Sequence, residues 1–186
     1  MKLHIKNMGS NRCKIIAKTE LQKLKLHFMM LELGEVEVME SLSEEQQNQL
    51  NTGLTESGLE LLQDRKSILI ETIKNCIIEA IYYSKKQPKT KFSEYLSQRL
   101  NHDYTYLSNI FSENQDISIE CYLLNQRIER IKELLIYGEL NISEIANKLH
   151  FSSGGHLSNQ FKKLTGLTPT QYKHLCLKKH QPSGDV

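Results

Sequence analysis

Apolar residues in the first sixty positions alternate between two-residue and helical spacing, which predicts four strands and two helices. Leu3 and Ile5 alternate with charged residues, as in a half-buried strand. Ser43 and Gln46 match a capping box at the start of the second helix, and Gly58 is suited to its end. The expected strands cover residues 3–7, 28–33, 36–40 and 59–63, and the expected helices cover residues 13–25 and 43–57. The resulting βαββαβ order predicts an α+β fold of the ferredoxin-like class.

The rest of the chain has helical periodicity and predicts an all-α fold. Apolar residues three and four positions apart favour a helix up to residue 86, and Pro88 opposes its continuation. A second long pattern predicts a connecting helix over residues 117–137. The expected domains are 1–63 for the ferredoxin-like domain, 64–88 for a linker helix, 89–178 for the all-α domain and 179–186 for a frayed tail.

A five-residue motif occurs twice, fifty residues apart. The copies are Leu107-Ser108-Asn109-Ile110-Phe111 and Leu157-Ser158-Asn159-Gln160-Phe161. Each copy follows a shorter helical pattern and a brief interruption. Asn101 and His150 belong to residue types that accept a positive φ, and Asp103 and Ser152 are suitable N-caps. A helix, a three-residue turn and a capped second helix are typical of helix-turn-helix motifs, so we predict two of them, joined by the connecting helix.

The formal net charge of +2 combines two halves of opposite sign. Residues 1–64 contain 7 basic and 10 acidic residues, whereas residues 65–186 contain 17 basic and 12 acidic residues. Such an asymmetry favours a polyanionic partner, such as nucleic acid, for the basic half.

Several protein classes do not fit the sequence. No apolar run approaches the roughly 18 residues of a membrane span, and the amino terminus lacks the features of a signal peptide, so we expect a cytoplasmic protein with no membrane partner. The spacing of Cys13, Cys76, Cys121 and Cys176 favours reduced thiols, and the middle two fall in apolar helix patterns where burial is expected. Common catalytic motifs are absent from the sequence, so we expect neither enzymatic activity nor a cofactor or metal.

The loop after the first strand reads Asn7-Met8-Gly9-Ser10-Asn11-Arg12-Cys13. Together with the βαββαβ order, it resembles the heavy-metal-associated domains, whose Met-x-Cys-x-x-Cys loop binds a soft cation through two thiolates. Met8 and Cys13 match this pattern, but Ser10 occupies the first thiol position. We therefore expect a scaffold without metal. The alternative is a metal- or redox-responsive regulator that uses Cys13, which lies near a helix amino terminus.

The helical half resembles the DNA-binding domain of the AraC/XylS family of bacterial transcription regulators, over about residues 65–178. The segments that carry the resemblance are 126–135, 142–146, 150–152, 157–163 and 166–172. The resemblance implies a sequence-specific DNA-binding transcription regulator whose two recognition helices enter successive major-groove segments. The usual effector-binding β-barrel of this family has no counterpart in residues 1–63. We expect that domain to sense, to form a homodimer or to dock a protein partner.

The resemblance implies a set of DNA-contacting positions on both recognition helices. They are Thr105, Ser108, Asn109, Ser153, Gly154, Gly155, His156, Ser158, Asn159, Lys162 and Lys163. The amides of Asn109 and Asn159 are suited to adenine, because one amide both donates to and accepts from its major-groove edge. Lys162 and Lys163 are expected to contact phosphates and to add affinity rather than sequence information.

Two features depart from the family pattern. Gly154 and Gly155 lack side chains that reach bases, and each costs about 1 kcal/mol within a helix. Neither recognition helix contains an arginine, so the commonest contact to guanine is missing. Two interpretations stay open. In the first, sequence specificity depends on the first motif and on DNA shape. In the second, the glycines let the helix backbone approach a phosphate closely. A metal carrier or ligand-binding protein whose carboxy-terminal helices only contact proteins is the alternative of a different class.

Overall fold

A computed structural model describes residues 1–83 and 91–179 of the chain. The chain divides into two compact units, Met1–Asp116 and Ile117–Val186. The first unit therefore contains both the amino-terminal sheet and the first repeat of the five-residue motif. The division into domains at residues 63 and 88 stays a prediction.

Four strands and nine helices are present in the described residues. The strands are β1 (Lys2–Lys6), β2 (Phe28–Glu32), β3 (Glu35–Val38) and β4 (Glu60–Leu62). The helices are α1 (Asn11–Lys23), α2 (Glu44–Glu56), α3 (Arg65–Ile78), α4 (Phe92–Leu100), α5 (Tyr104–Gln115), α6 (Ile119–Tyr137), α7 (Ile142–Lys148), α8 (Gly154–Thr165) and α9 (Pro169–Lys179). A π-helical segment, Glu79–Tyr83, continues α3. The predicted small sheet and the helical remainder are both confirmed.

The four strands form one sheet in the order β2-β3-β1-β4, with antiparallel neighbours throughout. Alternation places Leu3 and Ile5 of β1 on the face that α1 and α2 cover, and Ile5 has no exposed surface. Leu21 of α1 and Leu54 of α2 are equally inaccessible and complete the centre of this core. The amino-terminal sheet is thus stabilised mainly by one continuous apolar layer.

Local capping signals decide where the first two helices begin. Ser43 and Gln46 form the predicted capping box, because the side chain of each residue accepts a hydrogen bond from the backbone N–H group of the other. Ser10 caps α1 by accepting the N–H of Cys13, so this helix begins two residues earlier than the apolar pattern indicated. Gly58 adopts φ +75° just after α2, as predicted for a helix end.

Helix α3 packs against the sheet through polar contacts as well as apolar ones. The carboxylate of Glu71, which is 7% exposed, accepts the Asn7 backbone N–H at 2.7 Å. The side-chain amide of Asn75, 5% exposed, donates to the Leu33 carbonyl at 3.0 Å. At Gly34, φ is +80° and an added Cβ would lie 2.2 Å from Nδ2 of Asn75, so both the backbone and the neighbouring helix require glycine.

The linker helix differs from the prediction in form. One regular helix was expected to residue 86, whereas α3 ends at Ile78 and a π-helical segment follows. The predicted break at Pro88 lies outside the described residues. Arg99 of α4 bridges this segment and the sheet, because its guanidinium lies 2.7 Å from Glu79 and 3.0 Å from Glu32 of β2. The carboxy-terminal end of α4 is thereby tied to the sheet within the first unit.

Helix α6 is the longest element of the second unit. Ser118 caps it, and Ile131 and Phe161 form part of a core with no exposed surface. The expectation that Cys121 is buried is wrong, because this residue lies two positions from both buried Ile119 and buried Leu123 and so occupies the opposite face.

The other cysteine that was expected to be buried does lie in the core of the first unit. Cys76 is 2% exposed, and burial raises the pKa of its thiol to about 11, which keeps it protonated at neutral pH.

No helix among residues 1–83 and 91–179 combines the length and apolar character that crossing a bilayer requires.

Candidate nucleic-acid interface

The first helix-turn-helix lies within the amino-terminal unit and has the predicted turn. Asn101 ends α4 in the left-handed region, with φ +52°, and its N–H donates to the Ser97 carbonyl. Asp103 caps α5 by accepting the Thr105 N–H at 2.8 Å. Helix α4, a three-residue turn and capped helix α5 therefore form a helix-turn-helix motif, as predicted.

Helix α5 has one buried and one open face. Leu107 and Phe111, four residues apart, have no exposed surface and fix the buried side. Thr105 and Asn109 are exposed on the opposite side and are also four residues apart, so they face the same direction. Ser108 is half-buried, and its carbonyl accepts the Ser112 hydroxyl at 2.8 Å. Of the three positions predicted on this helix, two are exposed and one is half-buried.

The second helix-turn-helix has a longer turn than the first. His150 adopts φ +61°, as predicted, but the N-cap of α8 is Ser153 rather than Ser152. Ser153 accepts the N–H of His156 at 3.0 Å, whereas the Ser152 hydroxyl lies 2.9 Å from Nδ1 of the same histidine. The turn covers residues 149–153, two more than in the first motif, and includes Phe151, which is 7% exposed. The prediction of Ser152 as N-cap is therefore wrong. Helix α8 begins fifty residues after α5, so Ser153 is the counterpart of Asp103 in the repeat.

Helix α8 is amphipathic, with a basic open face. Leu157 and Phe161 are buried, and Ser158 and Gly154 are half-buried. The predicted contact residues that are exposed on this motif are Ser153, Gly155, His156, Asn159, Lys162 and Lys163. The helix contains no acidic residue, and its two lysines form no ion pair with a described residue. This face therefore offers an open helix amino terminus, an amide in the middle of the helix and two positive charges in its last turn.

The two glycines at the start of α8 have different surroundings. A Cβ added to Gly154 would lie 3.4 Å from Cγ2 of Ile142 in α7, so this residue faces the preceding helix. A Cβ added to Gly155 would meet only the Ser153 hydroxyl oxygen, at 3.8 Å, and otherwise open space. A side chain at position 154 would thus be in ordinary contact with α7, whereas one at position 155 would lie on the open face.

Two arginines of α6, Arg127 and Arg130, lie next to the second helix-turn-helix in sequence. Arg130 forms an ion pair with Glu133 at 2.6 Å. The guanidinium of Arg127 lies 5.7 Å from the centre of the Phe151 ring, and burial lowers its pKa. Burial, assisted by the charge of Arg127, also lowers the pKa of His150 below its ordinary value. Both arginines thus have partners within the second unit.

The loop that resembles a metal-binding loop has the wrong chemistry for a soft cation. Met8 has no exposed surface and belongs to the core, and the Ser10 hydroxyl lies 3.2 Å from the sulfur of Cys13. Among residues 1–83 and 91–179, no group of three or more His, Cys, Asp or Glu side chains is placed to hold a metal ion. The donors present in this loop amount to one thiol and one hydroxyl.

A cleft lies beside α5 that no pattern in the sequence indicates. Asn109 lines it together with Arg65 and Lys66, the first two residues of α3, and His4 of β1. Adjacent basic residues at the start of α3 are visible in the sequence, but their approach to α5 depends on tertiary packing. A residue predicted to read DNA therefore also borders a second site.

Comparisons with known proteins agree with these motifs. The family model described as "Helix-turn-helix domain" matches residues 96–174. The chain is 26% identical over 157 residues to the uncharacterized HTH-type transcriptional regulator YtdP of Bacillus subtilis, covering 80% of this chain and 20% of that protein. It is 33% identical over 78 residues to the Msm operon regulatory protein of Streptococcus mutans, covering 42% of this chain and 28% of that protein. The chain thus spans less than a third of the length of these curated relatives.

Solved structures show the same likeness. The C-terminal domain of AraT, a response regulator from Geobacillus stearothermophilus, is 27% identical with a TM-score of 0.51, covering 66% of this chain and 94% of that one. A DNA-binding transcriptional dual regulator from Escherichia coli K-12 shares the fold at 18% identity and a TM-score of 0.50, covering 63% of this chain and 96% of that one.

Proposed function

We propose that this chain, whose residues 96–174 form a helix-turn-helix domain of the AraC type, is a DNA-binding transcription regulator that reads DNA with both α5 and α8. The observation that carries the proposal is the repeated arrangement of these helices. In each, a Leu and a Phe four residues apart are buried, and an exposed asparagine lies between them on the open side. Two such helices on one chain are suited to successive major-groove segments about one DNA turn apart.

The two asparagines are the base-reading residues of this proposal. Asn109 and Asn159 are exposed, and neither amide is engaged in a hydrogen bond that the described residues show. Each amide can donate one hydrogen bond and accept another at adenine N7 and N6. Thr105 lies one helical turn before Asn109, where its methyl and hydroxyl groups suit contact with a neighbouring base.

The amino terminus and basic side of α8 are the phosphate-binding part of the proposal. Gly155 leaves the backbone at the second helical position open, where N–H groups attract an anion. Lys162 and Lys163 add two positively charged side chains on the same helix. His156 and Ser158 complete the proposed contact surface, although the serine is half-buried.

The amino-terminal sheet supports a second part of the proposal. Its strand order, β2-β3-β1-β4 with antiparallel neighbours, agrees with the ferredoxin-like interpretation of the βαββαβ sequence pattern. We infer that this domain senses a signal, dimerises or docks a partner for the DNA-binding half. Since such a regulator acts on DNA, we expect it in the bacterial cytoplasm.

Selection of bound DNA from a random pool tests the proposal. Use of both helices requires two enriched motifs separated by about one turn, or 10–10.5 base pairs. Enrichment of a single short motif would refute the use of both helices, and no enrichment at all would refute sequence-specific binding.

A substitution then tests the reading by α8. Asn159→Ala should weaken binding to the selected site by about 1–3 kcal/mol and relax one base position. Asn125→Ala, an exposed asparagine on α6, is the matched control and should change neither quantity. Equal losses on selected and random DNA for Asn159→Ala would contradict its role in base reading.

A further inference from the structure

The cleft beside α5 has the size of a small-molecule site. It lies within the amino-terminal unit, between β1, α3 and α5, and has a volume of about 910 Å³. Binding sites for small organic ligands span roughly 300–1,000 Å³. One of its walls is α5, a proposed recognition helix, so a ligand bound in the cleft would contact that helix.

The charged side chains that line the cleft are mainly basic. Arg65 and Lys66 lie on one wall, and Glu113 is the only carboxylate among the described lining residues. Lys66 and Glu113 are 3.9 Å apart and both more than half exposed, so their attraction is weak. Arg65 forms no ion pair with a described residue. An acidic group on a ligand would therefore find one unpaired cation and one weakly paired cation side by side.

The opposite wall is apolar and aromatic. Tyr106 of α5 is 50% exposed, and its ring centre lies 5.3 Å from that of His102, with the planes tilted by 39°. Ile68 and Leu69, on the same helix as Arg65 and Lys66, add aliphatic surface beside the two cations. A planar apolar body would bury this surface while its acidic group meets the basic wall.

A buried polar atom that needs a hydrogen-bond donor lies in a separate small pocket next to the cleft. A small polar pocket adjoins the cleft and shares His4, Ile68 and Thr72 with it. Asn75 lines this pocket and is 5% exposed, and its side-chain oxygen accepts no hydrogen bond from the described residues. The pocket measures about 20 Å³, which is enough for one water molecule or one donor atom of a ligand.

We propose that this cleft binds a small amphipathic anion, a planar apolar body that carries an acidic group, and that its occupancy controls α5. Arg65 and Lys66 bind the acid, and Tyr106 packs against the body. Asn109 lines the same cleft, so a bound ligand restrains or engages the amide that the proposed function assigns to base reading. This second half of the proposal rests on the proposed function, whereas ligand binding itself does not.

Fluorescence titration of the full chain with anilinonaphthalene sulfonate, an aromatic sulfonate, tests ligand binding without DNA. The expected result is saturable binding of one dye per chain. Arg65→Ala/Lys66→Ala should weaken dye affinity by about tenfold, because two charge-assisted contacts are lost. The affinity of its neutral analogue, N-phenylnaphthylamine, should fall by less than about threefold in the same variant, since this dye lacks the acidic group.

The matched control is Lys162→Ala/Lys163→Ala, which removes the same charge from the open face of α8. This variant should bind the dye like the original chain. Equal weakening by the two double variants, unsaturable binding, or equal losses for the charged and neutral dyes would overturn the site. Thermal unfolding of each variant shows whether the fold is retained, and Tyr106→Ala, a change at a half-exposed ring, provides an independent loss of dye affinity.

DNA binding in the presence of the dye tests the control of α5. Saturating dye should change affinity for the selected DNA by about fivefold or more, and DNA should change dye affinity by the same factor. In Arg65→Ala/Lys66→Ala the dye should no longer affect DNA binding. Normal dye binding with unchanged DNA affinity would overturn the coupling, whereas loss of DNA binding alone would count against the proposed function and leave the site standing.

Discussion

The salt dependence of DNA binding gives the sharpest measure of the role of Lys162 and Lys163. Both side chains are exposed on α8 and form no ion pair with a described residue, so each is available to one phosphate. Each neutralised phosphate contributes about 0.9 to the slope of log affinity against log salt concentration. Lys162→Ala/Lys163→Ala should therefore reduce the slope by about 1.8. Between 50 and 200 mM salt, this corresponds to a roughly twelvefold smaller loss of affinity than for the original chain.

Fluorescence anisotropy with the selected DNA and with a random duplex of equal length measures this slope. The reduction should be the same on both duplexes, because phosphate contacts carry little sequence information. Lys14→Ala/Lys18→Ala, which removes two cations from α1, is the control of equal charge and should leave the slope unchanged. An unaltered slope for the α8 variant, or an equal change in the α1 variant, would refute local phosphate binding by α8.

Three further outcomes follow from local structure. Placing an alanine in the left-handed region costs about 1–2 kcal/mol. In urea unfolding, Gly34→Ala should cost more than this, because the Asn75 side chain of α3 occupies the space that the new methyl group needs. Gly58→Ala should cost only this amount, because the space around Gly58 is open. Ser153→Ala should lower the free energy of unfolding by about 1 kcal/mol and Ser152→Ala by less, and the reverse order would restore Ser152 as the cap. Because the pKa of His150 is lowered in the folded chain, the unfolded chain binds this proton first, and stability should fall as pH drops through about 6.5. The melting temperature of His150→Asn should therefore decrease less between pH 7 and pH 5 than that of the original chain.

Local signals in the sequence predicted most of the framework. The capping box at Ser43 and the positive φ of Asn101 and His150 depend on residues within one turn, and the structure confirms all three. The alternation around Ile5 likewise identifies a strand whose inner face is buried. Such features need no knowledge of distant contacts, which is why a single sequence suffices for them.

The start of α8 was predicted one residue early, and the cleft beside α5 was not predicted at all. Ser152 and Ser153 are equally good caps in isolation, and the fifty-residue offset of the repeat, which pairs Asp103 with Ser153, favours the second. Gly154 stays a predicted DNA contact, next to Ile142 of α7. The cleft beside α5 has no sequence signature, because its walls come from three separate elements.

The buried polar contacts of α3 also limit how this protein can be rearranged. Glu71 accepts a hydrogen bond from Asn7 and Asn75 donates one to Leu33, and these partners precede them by 64 and 42 residues. A fragment that begins near residue 64 would lose both partners and leave two polar groups of α3 without them, at a cost of about 1–3 kcal/mol each where they stay buried. Recombination that exchanges the amino-terminal sheet for another module must therefore also replace or redesign the inner face of α3. Sheet and helix are expected to have been inherited as one unit.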